Sequence, residues 1–293
     1  MLRNPLVTVI CLCYNHERFL IEALESIKNQ TYGEIQIIIT DDASQDNSVQ
    51  LIKHWIKNND ALFIENKTNI GNTKSFNTAL QHAKGEYIVD LATDDILLPN
   101  FIESLVSKFK TSKYKNLGVV FSNVELIEEN GAHKYYLYPI NNDFTAKTKP
   151  VTGNIYSRLL HSYFLSSASI LMKTDVLKLL GGYDENLMYE DVDFWFRSSR
   201  IYDYDYVDKV LVKKRVVSDS LGTNFKKKNR RKFGESTYII CKKAFNMNEK
   251  KSEHKALQNR VIYELKLALK NRDLVTASHF LSLAFKIQLK ITL

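Results

Sequence analysis

Apolar positions in the first half of the chain fall into two alternating rhythms. Residues 6–13 (LVTVICLC) form a short, nearly continuous apolar run, the pattern of a strand buried on both faces. Residues 17–29 follow with apolar side chains at Phe19, Leu20, Ala23, Leu24 and Ile27, a helical period. The alternation then repeats. A strand is predicted at 35–40 (IQIIIT) and a helix at 44–57 with Ser44 or Asp46 as its N-cap. A short strand at 61–65 leads to a helix at 73–83, which stops before Lys84-Gly85, a C-cap signal. A strand at 86–91 (EYIVDL), a helix from Pro99 to about 110 and a strand at 117–122 (LGVVFS) complete the series. This alternation predicts an α/β fold, a mostly parallel central sheet with helices on both faces. Ligands of such sheets bind outside the carboxyl ends of the strands. The acidic residues fall at those ends, with Asp41 and Asp42 after the second strand and Asp94 and Asp95 after the fourth.

Beyond residue 122 the rhythm is less regular. Residues 124–152 are polar and Tyr-rich, with an antiparallel or irregular pattern. Helices are predicted at 153–162, from Thr174 to Gly181-Gly182 and at 190–199, and strands at 167–172 and 206–213. After about residue 218 the chain is Lys-rich and helical in period. Leu257, Val261, Leu265, Ala268 and Leu269 form one apolar stripe, and Leu274, Ala277, Leu281 and Ala284 another. They predict a helical hairpin that packs on the core, forms a dimer or lies on a membrane surface as a basic amphipathic element.

Composition narrows the class. Of 293 residues, 44% are hydrophobic and 25% charged, enough for a proper core and unlike a disordered chain. The net charge is +8, and the run from Lys226 to Lys232 concentrates it. That run is either a solvated helix face or an attractor of anionic lipid, nucleic acid or acidic glycan. Nucleic-acid binding is disfavoured, because only Phe225 and Phe233 flank the run and no recognition motif accompanies it. Cys11, Cys13 and Cys241 are too few and too oddly spaced for a disulfide framework. No signal peptide and no stretch of the ~20 apolar residues that span a membrane are visible. The expected location is the cytoplasm.

Four segments carry candidate chemistry, each with a plainer structural reading beside it. Thr93-Asp94-Asp95 follows a buried strand, where carboxylates either hold a divalent metal against a diphosphate or cap the helix ahead. Asp41-Asp42 can accept a hydrogen bond from a nucleobase N–H or belong to the cap of the next helix. In Asn69-Ile70-Gly71-Asn72-Thr73-Lys74, Gly71 permits a turn close to a ligand, and Lys74 lies where a helix start favours anions. The plainer reading is a loop and helix start. Glu190-Asp191 opens a helix, as a general base for an acceptor hydroxyl or as a complement to the helix dipole.

These segments in this order resemble the family 2 glycosyltransferases, which have the GT-A fold. The resemblance runs from about residue 5 to residue 221. It rests on Val7-Thr8-Val9-Ile10 with Tyr14-Asn15, on Asp41-Asp42-Ala43-Ser44-Gln45-Asp46, and on Asn69-x-Gly71 with Asn77. Gly85-Glu86-Tyr87-Ile88 with Thr93-Asp94-Asp95, and Gly182-Tyr183-Asp184 with Glu190-Asp191 and Arg197, complete it. It implies a catalytic domain over 1–220, with a nucleotide-sugar half at about 1–122 and an acceptor half at about 123–220. A basic α-helical extension occupies 221–293. It also implies roles. Asp42 would recognise the base with Asp41 nearby, Tyr14 and Asn15 would line the nucleotide pocket, and Asn69 and Lys74 would belong to it. Asp94 would contact the ribose or metal-bound water, and Asp95 would bind Mn²⁺ or Mg²⁺. Asp191 would be the general base, supported by Glu190. The implied reaction is inverting transfer of a sugar from a nucleoside diphosphate, UDP favoured, to a glycan or lipid-linked acceptor, with residues 124–169 building the acceptor pocket. Bacterial surface polysaccharide synthesis is the implied setting, and docking on the inner face of the membrane is the expected use of the basic tail. A His common after the last core strand is absent. Arg215-Val216-Val217-Ser218 stands there, so Lys213, Lys214 or Arg215 is expected to supply the positive charge. Leu12-Cys13 replaces the usual Pro-Thr or Pro-Ala. The alternative function is a non-catalytic nucleotide-sugar-binding subunit. A nucleotidyltransferase is disfavoured, because residues 13–17 are neither Gly-rich nor basic.

Overall fold

The computed structural model describes residues 4–217 and 230–293. Within it the chain forms two compact units. The first comprises the residues up to Gly153, Leu165–Tyr183 and Tyr202–Val217. The second comprises Asn154–Phe164, Asp184–Ile201 and the C-terminal stretch. The helical unit therefore recruits two segments from within the sequence between residues 123 and 220.

The first unit is built on one nine-stranded sheet. Its strands are β1 (Val7–Cys13), β2 (Ile35–Asp41), β3 (Leu62–Glu65), β4 (Tyr87–Ala92), β5 (Ile96–Leu97), β6 (Leu117–Ile127), β7 (His133–Tyr136), β8 (Ile170–Lys173) and β9 (Asp203–Arg215). The order is β3-β2-β1-β4-β8-β6-β9-β5, with β7 added to β6. β3, β2, β1 and β4 are parallel throughout. β8 inserts between β4 and β6 antiparallel to both, and β6 and β9 run parallel. The alternating apolar pattern thus marks the parallel half correctly. The other half is mixed, because β8 runs antiparallel between β4 and β6.

Every residue of β1 is buried, as its unbroken apolar run requires. Val7, Val9, Cys11 and Cys13 share one face. They pack in a cluster with α1 (Leu20–Lys28), α2 (Ser48–Trp55) and α4 (Phe101–Thr111), through Leu20, Leu24, Ile27, Ile52, Trp55, Phe101 and Leu105. α3 (Asn72–Leu80) packs on β1 and β2, and α6 (Thr174–Leu179) follows β8. All three cysteines are buried free thiols, and burial pushes the Cys13 thiol up to about 11.

Several helix boundaries differ from the sequence reading, two of them with a visible physical reason. α2 begins at Ser48, not at residue 44. The Ser44 hydroxyl donates to Asp41 instead, and Asp46 accepts from the backbone N–H groups of Glu17 and Ser48. Gly85 is not a helix C-cap, since α3 already ends at Leu80. It is there because a Cβ at Gly85 would lie 2.5 Å from the backbone nitrogen of Thr8. By contrast Gly181 and Gly182, at φ 75° and 74°, end α6 as expected.

The second unit is helical among its described residues. It holds α5 (Tyr156–His161), α7 (Asp191–Ser199), α8 (Arg230–Met247), α9 (Lys251–Lys270) and α10 (Leu274–Thr292). α9 and α10 form the expected hairpin, joined through Arg272 at φ 58° and an Asp273 N-cap. The buried stripes are not quite the expected ones. Leu257, Val261 and Ala268 face inward on α9, as do Ala277 and Ala284 on α10. Leu269, Leu274 and Leu281 are exposed, and Phe280, Leu283 and Ile287 are buried in their place. The hairpin's interior follows the contact line with α8 and α5, which periodicity alone does not set. Most of the basic run from 226 to 232 lies outside the described residues. No described helix is long and apolar enough to cross a membrane.

Candidate functional site

The carboxyl ends of β1, β2 and β4 carry loops that are hydrogen-bonded into one another. After β1, Tyr14 is 43% exposed and Asn15 adopts φ 57°. That left-handed turn lets the Asn15 N–H donate to Ser44 Oγ at 2.9 Å, while Asn15 Oδ1 accepts from Gln45 N at 2.7 Å. Ser44 is in turn held by Asp41, whose two oxygens accept from its N–H and hydroxyl at 2.9 and 2.6 Å. Asp41 is fully buried at the end of β2.

Asp42 does something different. Its Oδ1 accepts from Asn66 Nδ2 at 3.0 Å and from Ile70 N at 2.8 Å, and its Oδ2 accepts from Gly71 N at 2.9 Å. The carboxylate therefore organises the 66–71 loop at the start of α3. Gly71 has φ 90°, a conformation that glycine supplies without strain. Asn69 is exposed on this loop, and Lys74 is exposed in the first turn of α3.

The turn after β4 is tied to the same group of loops. The Thr93 hydroxyl approaches Leu12 O at 3.2 Å and His16 Nδ1 at 2.9 Å. His16 therefore belongs to this region, though no sequence motif singled it out. Its only signal is adjacency to Tyr14-Asn15, and a fold is needed to place it against Thr93. Asp94 is half-buried and Asp95 is 3% exposed. Burial, and then the neighbouring Asp94 carboxylate, push the Asp95 carboxyl up. Lys214 and Arg215 oppose that shift, Arg215 also through its N–H, which donates to Asp95 Oδ1 at 2.9 Å.

Arg215 does not supply a free phosphate-binding cation. Its side chain is buried and donates to Asp94 O at 3.1 Å, to Glu129 O at 2.7 Å and to Glu22 at 2.7 Å, with the guanidinium over Phe19. The arginine is an internal brace behind the acidic turn. Of the basic residues expected here, Lys214 and Arg215 both act on Asp95 by their charge.

No group of three His, Cys, Asp or Glu side chains is placed to hold a metal among the described residues. The donor set at this turn is two carboxylates, which suits a hard divalent cation that completes its shell with phosphate oxygens and water. The hydrogen bond to Arg215 uses Oδ1 of Asp95 and leaves Oδ2 for such an ion.

Glu190 and Asp191 lie in the second unit, at the start of α7. Both are half-buried, and Asp191 Oδ1 accepts from Val192 N at 2.7 Å. Two residues on, the fully buried Asp193 accepts from Arg197 Nε and from Lys243 Nζ, each at 2.7 Å. Lys243 also reaches Asp184 at 2.6 Å. Asp193 thus anchors the helix, and its spacing of four residues from Arg197 was legible in the sequence.

The comparisons with known proteins give the family and the fold. The profile of glycosyl transferase family 2 matches residues 8–178. A glycosyltransferase of Methanocaldococcus jannaschii is 32% identical over 218 residues, which is 73% of this chain and 71% of that protein. Among solved structures, S. aureus TarS 1-349 in complex with UDP-GlcNAc has a TM-score of 0.68 at 19% identity, covering 87% of this chain and 71% of that one. The mannosyltransferase PcManGT from Pyrobaculum calidifontis, in complex with GDP-Man and Mn²⁺, has a TM-score of 0.60 at 17% identity, covering 99% and 84%. At these identities the structural likeness establishes the fold, which is GT-A. With the acidic turn after β4 and a family match over more than half of its length, the chain belongs to glycosyl transferase family 2 and is a glycosyltransferase.

Proposed function

We propose that this enzyme transfers a sugar from a UDP-linked donor to a hydroxyl of a glycan or lipid-linked glycan, with inversion at the anomeric carbon. The observation that carries the proposal is the Asp94-Asp95 turn, whose inner carboxylate is buried and held by the Arg215 N–H. Burying a carboxylate beside another one is costly. A ligand bearing positive charge at that point offsets the cost. Asp95, with Asp94, would hold Mn²⁺ or Mg²⁺, which when bound neutralises the charge of the departing diphosphate. The complexes of TarS with UDP-GlcNAc and of PcManGT with GDP-Man and Mn²⁺ support a nucleotide-sugar donor and a metal.

The chain's own residues take the remaining roles. Tyr14, Asn15 and Asp41 form the nucleotide side, and Asp42 positions the loop that carries Asn69 and leads to Lys74. Asp191 accepts the proton of the acceptor hydroxyl as its oxygen bonds to C1 and the bond from C1 to the diphosphate breaks. Glu190 supports it. One direct displacement turns an α-linked donor into a β-linked product. Bacterial surface glycan synthesis on the inner face of the membrane is the proposed setting. Its support is α10, which presents Leu274, Leu281, Phe285 and Leu289 outward on one stripe and contains no acidic residue. Such a helix suits an anionic lipid surface.

Calorimetric titration of UDP, GDP, TDP and CDP, with and without Mn²⁺, tests the donor reading on wild type and Asp95→Ala. Metal-dependent binding of UDP that disappears in Asp95→Ala is the expected result. Binding of another nucleotide alone overturns the UDP assignment, and binding of none overturns the donor reading. Flotation with anionic liposomes tests the membrane reading, which fails if full-length protein stays at the bottom.

A further inference from the structure

We propose that a groove in the first unit, centred on Phe144, binds a pyranose ring of a neutral glycan chain as an outer subsite for the acceptor. The inference rests on the acceptor reading above and adds the residues and the chemistry of recognition.

The starting point is a backbone conformation. Phe144 has φ 62°, a left-handed geometry that is unfavourable for a bulky side chain. The loop around it enforces that geometry. Ile140 and Ala146 form an isolated bridge at its base. Within it Asn141 N donates to Thr145 O at 2.8 Å, and Phe144 N donates to Asn141 O at 3.1 Å. Asp143 Oδ1 accepts from both the N–H and the hydroxyl of Thr145, at 3.1 and 2.6 Å. Ala146 N donates to Asp208 Oδ1 at 2.8 Å, which pins the loop to β9.

All of this holds in place a ring that is 60% exposed. Packing within the chain does not compensate the strain, because most of the ring touches solvent. Persistent strain of this kind points to a ligand contact. The ring lines a cleft of about 510 Å³ together with Tyr136, Glu125, Asp143, Asp208 and Leu98, a size suited to a small organic ligand.

The lining selects the ligand class. Aromatic faces pack against the axial C–H face of a pyranose, and carboxylates accept hydrogen bonds from its hydroxyls. Glu125, Asp143 and Asp208 outnumber the one cationic lining residue, Lys209, and this acidic excess disfavours a polyphosphate or a nucleic acid. The cleft shares Asn100, Asp208 and Lys209 with a second, polar cleft of about 620 Å³, so the groove continues beyond one ring. Leu98 lies three residues past Asp95, on the far side of the two-residue β5, at most about 10 Å of extended chain. A glycan held here therefore lies close in the chain to the acidic turn.

The test uses the full chain on an array of immobilised neutral and anionic oligosaccharides. Phe144→Asn is the diagnostic variant, because asparagine tolerates the left-handed conformation. Its thermal midpoint should be no lower than that of wild type, and its UDP affinity should be unchanged. Retention of neutral pyranose oligosaccharides should fall about tenfold, the size of one aromatic contact, while Phe144→Trp should keep it. Equal retention by Phe144→Asn, retention of anionic glycans alone, or no retention by a wild type that binds UDP overturns the subsite. Loss of UDP binding in wild type would instead overturn the donor reading, and glycan retention would still report on the groove.

Discussion

The carboxylate of Asp42 accepts hydrogen bonds from the backbone N–H groups of Ile70 and Gly71 through separate oxygens, at 2.8 and 2.9 Å. A residue that resembles a base-recognition aspartate is thus a clamp on the loop beside the nucleotide side. Asparagine at this position keeps one acceptor oxygen and turns the other into a donor that faces N–H groups. Asp42→Asn is therefore expected to cost about 2 kcal/mol of stability, the size of one charge-assisted bond. It should also weaken UDP binding. A variant with unchanged melting and unchanged UDP affinity would show that the clamp is dispensable.

His16 offers a second test. Its ring nitrogen meets the Thr93 hydroxyl at 2.9 Å, next to the acidic turn. His16→Ala should lower stability by no more than about 1 kcal/mol, the worth of one hydrogen bond. The same change should raise the KM for donor, because Thr93 loses the partner that fixes the turn. Steady-state kinetics against donor concentration separates the two effects. An unchanged KM would assign His16 to packing alone.

Gly85 is a strand-packing residue. A methyl group there would meet Thr8 N at 2.5 Å, Thr8 Oγ1 at 2.8 Å and Leu6 O at 2.9 Å. Two of the three are backbone atoms and cannot rotate away. Gly85→Ala should destabilise the first unit by about 3 kcal/mol, the upper range for overpacking. Denaturant unfolding measures this directly, and a loss below 1 kcal/mol, the low end of that range, would contradict the close approach.

The helical unit should weaken in acid. Burial pushes the Glu253 carboxyl up, but the Arg200 guanidinium at 2.8 Å and the N–H groups of Glu249 and Lys250 outweigh it and hold the group low. Asp184 is likewise pushed up by burial and brought below its ordinary value by Lys243 and Asn186. A carboxyl that is lower in the folded state contributes stability above the ordinary carboxylate range, and that stability is lost as pH falls through the folded value. His254 is held down by burial and by Lys290, against Glu253. It therefore costs stability as pH falls below its unfolded value of about 6.5. Melting followed by circular dichroism should show the midpoint falling from pH 7 in two stages. His254→Gln should remove the upper one. Arg200→Ala should flatten the lower one and cost about 3 kcal/mol at neutral pH by leaving Glu253 buried without its cation. A lower stage that survives intact in Arg200→Ala would rule out this origin.

The amino-acid sequence by itself determined the parallel half of the sheet. β1 and β4 each carry a single polar side chain, Thr8 and Asp90, a pattern that burial on both faces explains, and β2 has the apolar run Ile37-Ile38-Ile39. Once those strands are placed, Asp41, Asp42, Asp94 and Asp95 must sit at their carboxyl ends, so that placement was legible without coordinates. Tertiary structure decided everything that depends on which element becomes a neighbour. It placed β8 antiparallel between β4 and β6. It turned Arg215 into a brace behind Asp94, and set His16 against Thr93 across 77 positions of sequence. It buried Phe280 and exposed Leu281 on the last helix. Periodicity records which side of an element is apolar. Hydrogen bonds between loops and the contact line between helices are set by the packing of distant segments, which leaves no period in the chain.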